Sequence, residues 1–211
     1  MTDYVEYKYS VSRHSHPDIA ARIISIIEGQ KRGGIVCELG CGSGWTCNRL
    51  AESGFDLVGV DLSESGIKVA QSAGVRGARF IRDSIDSSLP GRIGLQGQCD
   101  IVISNDVIEH LYRPTDLVEA AKGLLKPGGV MICATPYHGY LKNLAIAVLG
   151  KGDAHYNPLW DGGHIKFFSP ATLTNLLRGN DFVVDGFDYV GRFYGMWKSM
   201  ICTASLEAGE P

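Results

Sequence analysis

The chain has 211 residues, 45% of them hydrophobic, with a formal net charge of −3. That is enough apolar material for one α/β core, and the absence of a basic excess removes the electrostatic footprint of a protein that tracks a phosphate backbone, so no nucleic-acid partner is expected. Six cysteines, Cys37, Cys41, Cys47, Cys99, Cys133 and Cys202, lie mostly in apolar runs without CxxC spacing, which predicts reduced thiols rather than a disulfide frame or a zinc site.

The opening MTDYVEYKYS is polar, and the longest apolar patch, LAIAVLG from Leu144 to Gly150, is too short to span a bilayer. No stable membrane insertion is expected, and the expected localisation is cytoplasmic. HPDIAARIISIIEG carries Ile19, Ile23, Ile26 and Ile27 at helical spacing, with Pro17 in the first turn and Gly29 as a stop, and predicts a lead-in helix. Apolar strands then alternate with helices: GIVCELG, a helix over Trp45 to Ser53, DLVGVDL, SESGIKVAQSAG as a helix, and ARFIRDS. CDIVISN follows, then a helix over PTDLVEAAKGLLK with Leu117, Val118, Ala121, Leu124 and Leu125 on one face, then GGVMICAT. Continuous apolar strands separated by helices predict a doubly wound, mostly parallel α/β sheet covered on both faces.

The last third differs. Tyr137 to Phe168 reads as a long irregular insert rich in Tyr, His, Trp and Gly, of the kind that forms functional lids. SPATLTNLLRGN is a helix with a Ser169 cap, Pro170 in its first turn and Gly179 at its end. DFVVDGFDYVG and GMWKSMICTAS then predict a C-terminal antiparallel hairpin closing the sheet edge. The whole chain, 1–211, is expected to form a single domain.

Gly40, Gly42 and Gly44 stand at alternate positions between the first strand and its helix, where residues without Cβ allow a tight turn and the close approach of a ligand. Asp61 ends the next strand about 20 residues on, the spacing at which an acidic residue takes a ribose hydroxyl pair. The strict GxGxxG of dinucleotide binders is absent, and Glu38 precedes the turn. A carboxylate there repels a pyrophosphate and suits an ammonium or sulfonium, which disfavours NAD and favours S-adenosyl-L-methionine as cofactor.

ELGCGSG, VGVDLS, IRDS, CDIVISNDVIEHL and LLKPGGVMICATP, in this order, resemble the five motifs of the class I S-adenosylmethionine-dependent methyltransferases. The resemblance implies a seven-stranded Rossmann-like fold. It also implies that Glu38, Gly40 and Cys41 lie near the methionine moiety, that Gly42 and Gly44 form the turn against the ligand, and that Asp61 holds the ribose hydroxyls. Leu62 would lie against the adenine, Asp83 would accept from its amino group with Ser84 adjacent, and Asn105 would reach the methionine end.

Asp106, Glu109 and His110 are similar in spacing to the ubiquinone-biosynthesis O-methyltransferases, and as i, i+3 and i+4 they are expected to share one helix face. Some members of that group use a divalent metal and others carry the same Glu-His pair without one, so no metal ligand is assigned. For a hydroxyl acceptor the candidate catalytic bases are His110 and, in GGHIKFF, His164, since imidazole titrates near neutrality. Tyr137, His138, Tyr140, Tyr156 and Trp160 are expected to line the site of a small-molecule acceptor. Tyr4, Tyr7, Tyr9, Arg13 and His14 belong to a lead-in that in many relatives folds over the cofactor, and no single one of them is assigned. A cofactor-binding module without catalysis, and an N- or C-methyltransferase, are the alternative readings; oligomeric state is left open.

Overall fold

A computed structural model describes residues 17–30 and 33–207, so the N-terminal residues Tyr4 to His14 named above lie outside the described residues. Five strands, β1 (Ile35–Leu39), β2 (Asp56–Asp61), β3 (Ala78–Arg82), β4 (Cys99–Asn105) and β5 (Leu125–Pro136), pair in parallel. Two more, β6 (Phe182–Val190) and β7 (Ser199–Leu206), are antiparallel, and the sheet order is β3-β2-β1-β4-β5-β7-β6. β7, not β6, pairs with β5, so the hairpin adds its second strand to the sheet and leaves its first at the edge.

Side chains alternate across the central strands, and the two faces have separate cores. Val36, Ile101, Ile103 and Ile132 face α1 (Pro17–Gly29), whose Ile19, Ile23 and Ile27 are buried against them, together with α2 (Trp45–Glu52) and α3 (Glu64–Ser72). Cys37, Val102, Met131 and Cys133 face the other way, against α4 (Leu89–Arg92), α5 (Pro114–Leu124) and α8 (Pro170–Arg178). Ser169 caps α8 in a capping box with Thr172. All six cysteines are buried and reduced.

The segment expected to be irregular holds two helices, α6 (Tyr140–Val148) and α7 (Gly152–His155). YLKNLAIAV consists mostly of good helix formers with no internal Gly or Pro, which permits α6, and its buried Lys142 and half-buried Asn143, Ala145 and Ile146 pack it against the rest of the chain. Among the described residues no helix is long and apolar enough to cross a membrane.

Strand order reverses between β1 and β4, and the carboxyl ends of these two strands flank a crevice where a doubly wound sheet binds its ligand. The lead-in helix is part of the core that supports it. Replacing the fully buried Ile23 by alanine is expected to lower stability by about 2–5 kcal/mol in urea unfolding, whereas a loss below about 0.5 kcal/mol would mean that α1 is peripheral.

Candidate active site

At the end of β1 the backbone N–H groups of Gly40 and Cys41 both donate to the carbonyl of Val60, at 2.7 and 3.0 Å, which ties the glycine turn to the end of β2. Gly40, Gly42 and Gly44 have φ of 79°, 53° and 75°, in the region that side chains disfavour. A Cβ on Gly40 would stand 2.2 Å from Cγ2 of Val107, and one on Gly44 would meet Phe80 at 2.6 Å and Ala70 at 2.7 Å. The close approach that glycine permits at 40 and 44 is therefore taken up by protein side chains.

Asp61 closes the turn from below. Its Oδ2 accepts from Gly42 N at 2.7 Å and its Oδ1 from Ser63 N at 2.8 Å. Burial raises its pKa, and the amide hydrogen bonds pull it back. Beside it Glu38, 3% exposed, accepts from the Cys47 thiol at 3.0 Å. Burial pushes Glu38 up to about 7, with the Asp61 charge adding to the rise and the Cys47 and Thr46 hydrogen bonds opposing it. Cys41 is buried next to both acids. Leu62, directly after Asp61, is exposed.

Asp83 is already engaged. Arg92, from the short α4, reaches its Oδ1 with Nη2 at 3.0 Å and both its oxygens with Nε at 3.2 Å, while Ser84 N donates to Oδ1 at 2.7 Å. Arg92 also bonds the Ser84 carbonyl at 2.8 Å and Asp86 at 2.7 Å, so one guanidinium shapes the exit of β3. Sequence reasoning missed Arg92, which sits in no motif and acts through three groups that precede it.

At the end of β4, Asp106 has φ 53°, and a single 3₁₀ turn covers Ile108–His110. Asp106, Glu109 and His110 therefore do not share a helix face: the left-handed residue at 106 turns the chain before any helix begins, and Asp tolerates that conformation better than most side chains. Asn105 Oδ1 is buried without a hydrogen-bond partner. Glu109, 1% exposed, accepts from Thr135 Oγ1 at 3.0 Å through Oε2, and its Oε1 stands 3.9 Å from His164 Nε2. Burial and then the Asp106 charge push Glu109 up to about 8, and burial pushes Asp106 up to about 6.

The two histidines meet. Their rings are 4.8 Å apart in an edge contact, and Trp160 packs against both, at 6.2 Å from His110 and 5.3 Å from His164. Their segments are joined by Ile165 N and Lys166 N, which donate to the Glu109 carbonyl at 2.9 and 3.0 Å. His110 Nδ1 lies 2.8 Å from Gly162 O and 3.2 Å from Gly163 O. Carbonyls only accept, so Nδ1 carries the proton in the neutral ring and Nε2 is its basic nitrogen. Burial lowers the pKa of this ring.

Ligand atoms of Glu109, His110 and His164 lie within 4.8 Å of one another. A carboxylate with two imidazoles, one of them oriented by backbone carbonyls, is a donor set that fits a divalent transition ion. His164, and not Asp106, completes this cluster with Glu109 and His110.

Residues 12–185 match the family model described as a methyltransferase domain. Over 147 residues the chain is 33% identical to a ubiquinone biosynthesis O-methyltransferase of Dinoroseobacter shibae, covering 68% of this chain and 57% of that protein. A protein of the same name from Caulobacter vibrioides is 32% identical over 155 residues, 71% of this chain and 59% of its own. The chain thus spans rather more than half the length of these curated relatives. Among solved structures, a magnesium protoporphyrin IX methyltransferase from Synechocystis with bound S-adenosylhomocysteine superposes with TM-score 0.69 at 20% identity, over 91% of this chain and 84% of that one. A methyltransferase-like protein from Bacillus halodurans gives TM-score 0.70 at 15% identity, over 89% and 98%.

Glu38, Asp106 and Glu109 hold protons up to about 7, 6 and 8 in the folded state but ionise near their ordinary values when unfolded. The folded state binds more protons in between, so their contribution is full at low pH and is lost as pH rises through 6 to 8. His138, pushed down to about 4, acts in the opposite sense only below its ordinary value. The metal-free protein is expected to lose on the order of 2 kcal/mol between pH 6 and pH 8. Thermal unfolding across that range checks this, and a rising midpoint would contradict it.

Proposed function

Because the chain belongs to the class I S-adenosylmethionine-dependent methyltransferases, we propose that the methyl group goes to a hydroxyl oxygen of a small-molecule acceptor seated against His110 and His164. The observation that carries this reading is the meeting of Glu109, His110 and His164 beside the end of β4, with Nδ1 of His110 held against the Gly162 carbonyl. The names of the relatives support oxygen as the acceptor atom.

The cofactor supplies a methyl group on a sulfonium, an excellent leaving group, so the chain's task is to position and to manage one proton. Glu38 receives the ammonium of the cofactor, and that cation restores the charge which burial suppresses. Asp61 has lone pairs left beyond the two amides it already holds, and these take the ribose hydroxyls. Leu62 covers the adenine, and Asp83 with Ser84 borders its amino group while Arg92 fixes their orientation. Asn105 supplies its unpaired oxygen to the methionine end. As the carbon–oxygen bond forms, the acceptor hydroxyl releases its proton to Nε2 of His110, with His164 adjacent. A divalent ion held by Glu109, His110 and His164 would supply Lewis acidity to the same hydroxyl, and the donor set favours this as the second reading.

Residues 137–168 act as a lid over the acceptor, with Trp160 against both histidine rings forming an aromatic wall. The whole chain works as one methyltransferase domain on a dissolved small molecule, and a cytoplasmic place belongs to the same reading.

Four measurements test this. Affinity for S-adenosylhomocysteine by calorimetry should weaken as pH falls below about 7, by up to about tenfold per unit, because Glu38 must be ionised to hold the ammonium; a flat profile removes Glu38 from that role. Asp61→Ala should weaken the same binding by about 1–3 kcal/mol. With quinol and catechol acceptors, His110→Ala should lower kcat by roughly 10²–10⁴ with cofactor affinity intact. Loss of turnover on chelation, restored by a divalent ion, would select the metal reading over the base.

A further inference from the structure

On the far side of segment 137–168 from Trp160, α6 and α7 and the turn between β6 and β7 border an open cleft of about 280 Å³. Leu141 of α6 packs on that turn so closely that a Cβ on Gly195 would stand 2.8 Å from its Cδ1. The polar part of the cleft wall is basic: Lys142, Lys151, His155 and Arg192, with no acidic residue among the lining side chains. The rest of the wall is apolar, from Ala145, Ile146, Leu149 and Met196.

Of the four basic residues only Lys142 is buried, while Lys151, His155 and Arg192 are exposed at the cleft mouth. Lys142 is 4% exposed, and its ammonium makes one hydrogen bond, at 2.6 Å to the carbonyl of Tyr137. Two of its three donors are left over, and a neutral carbonyl does not balance a buried charge. Among the described residues no carboxylate forms an ion pair with Lys142, Lys151 or Arg192. Burial and then the charge of Arg192 lower Lys142 to about 8, and burial followed by Lys142 and Arg192 lowers His155. Basic groups thus converge on the cleft without a carboxylate among its lining residues. Arg192 itself has φ 57°, a backbone position that favours glycine.

We propose that this cleft binds the carboxylate or phosphate end of an amphipathic anion, with Lys142, Lys151 and Arg192 around the charge and Ile146, Leu149 and Met196 against the apolar part. At liquid density the volume corresponds to roughly nine water molecules, enough for a charged head and the first carbons of a chain. None of the residues assigned above to the cofactor or to proton transfer lines the cleft, and the inference goes beyond methyl transfer without depending on it.

The test is calorimetric titration of the full chain with octyl phosphate and with octanoate, both below their micellar concentrations, and with octanol as the neutral counterpart. S-adenosylhomocysteine is titrated into the same samples, so failure of the cleft and failure of the cofactor site are read separately. One anion should bind per chain, with affinity roughly tenfold or more above that of octanol, the scale of a lost charge-assisted hydrogen bond. Lys142→Met, and independently Arg192→Gln should the first variant not fold, should abolish the preference for the anions and leave the S-adenosylhomocysteine affinity unchanged. Octanol binding as well as the anions, no anion binding, or variants that bind like the parent would overturn the proposal. Co-sedimentation with phosphatidylglycerol but not phosphatidylcholine vesicles, lost in the same variants, would identify a lipid headgroup as the source of the anion. Monomer binding without vesicle binding would identify a dissolved ligand.

Discussion

The carboxylate of Asp61 joins the ends of two strands through two short hydrogen bonds to backbone N–H groups, one from Gly42 in the turn after β1 and one from Ser63 at the start of α3. A glycine turn is entropically expensive to hold, and here three glycines lie in the left-handed region within five residues. What holds them is the pair of amides reaching back to Val60 on one side and the Asp61 carboxylate on the other. The conformation of the turn and the position of the acid are therefore one constraint. A ligand that binds the remaining lone pairs of Asp61 meets a turn already shaped for it.

From that clamp the electrostatics of the crevice follow. Glu38, Asp61, Asp106 and Glu109 are carboxyls at the carboxyl ends of β1, β2 and β4, and burial raises the pKa of each. Neutral partners, the Cys47 thiol on Glu38 and the Thr135 hydroxyl on Glu109, steady them without cancelling their charge. Such acids wait on protons or on cations. A sulfonium with an ammonium answers one part of the set and a divalent ion or an imidazolium the other, which is why the same floor suits a cationic methyl donor and a cluster with metal-binding geometry.

Much of this was legible in the residues. Continuous apolar strands such as IVCEL and CDIVISN announce a buried parallel sheet because both faces of each strand must be covered. The alternation of glycines and the acid after VGV announce the turn. His110 and His164 were each visible, but not their contact, which rests on main-chain bonds from Ile165 and Lys166 to Glu109 that no spacing encodes. The shared helix face of Asp106, Glu109 and His110 failed because periodicity presumes a helix, and one left-handed aspartate ends that presumption. Arg92 and Lys142 were missed for a related reason: a lone basic residue reads as surface until the fold buries it or surrounds it with acids.

Charge is also separated along the carboxyl edge of the sheet, a feature that the net value of −3 conceals. The acids gather where β1, β2 and β4 end, while Lys142, Lys151 and Arg192 gather beyond β5, around the turn that joins β6 to β7. Segment 137–168 runs between the two, with His138 and His155 in ring contact at 5.4 Å on the basic side and Trp160 on His164 at 5.3 Å on the acidic side. His138, buried with an unpartnered Nδ1, is held neutral by burial and then by Lys142, His155 and His164. A negative charge beside Lys142 would offset the Lys142 charge that disfavours protonation of both His138 and His155, so the two rings share one electrostatic environment with the cleft.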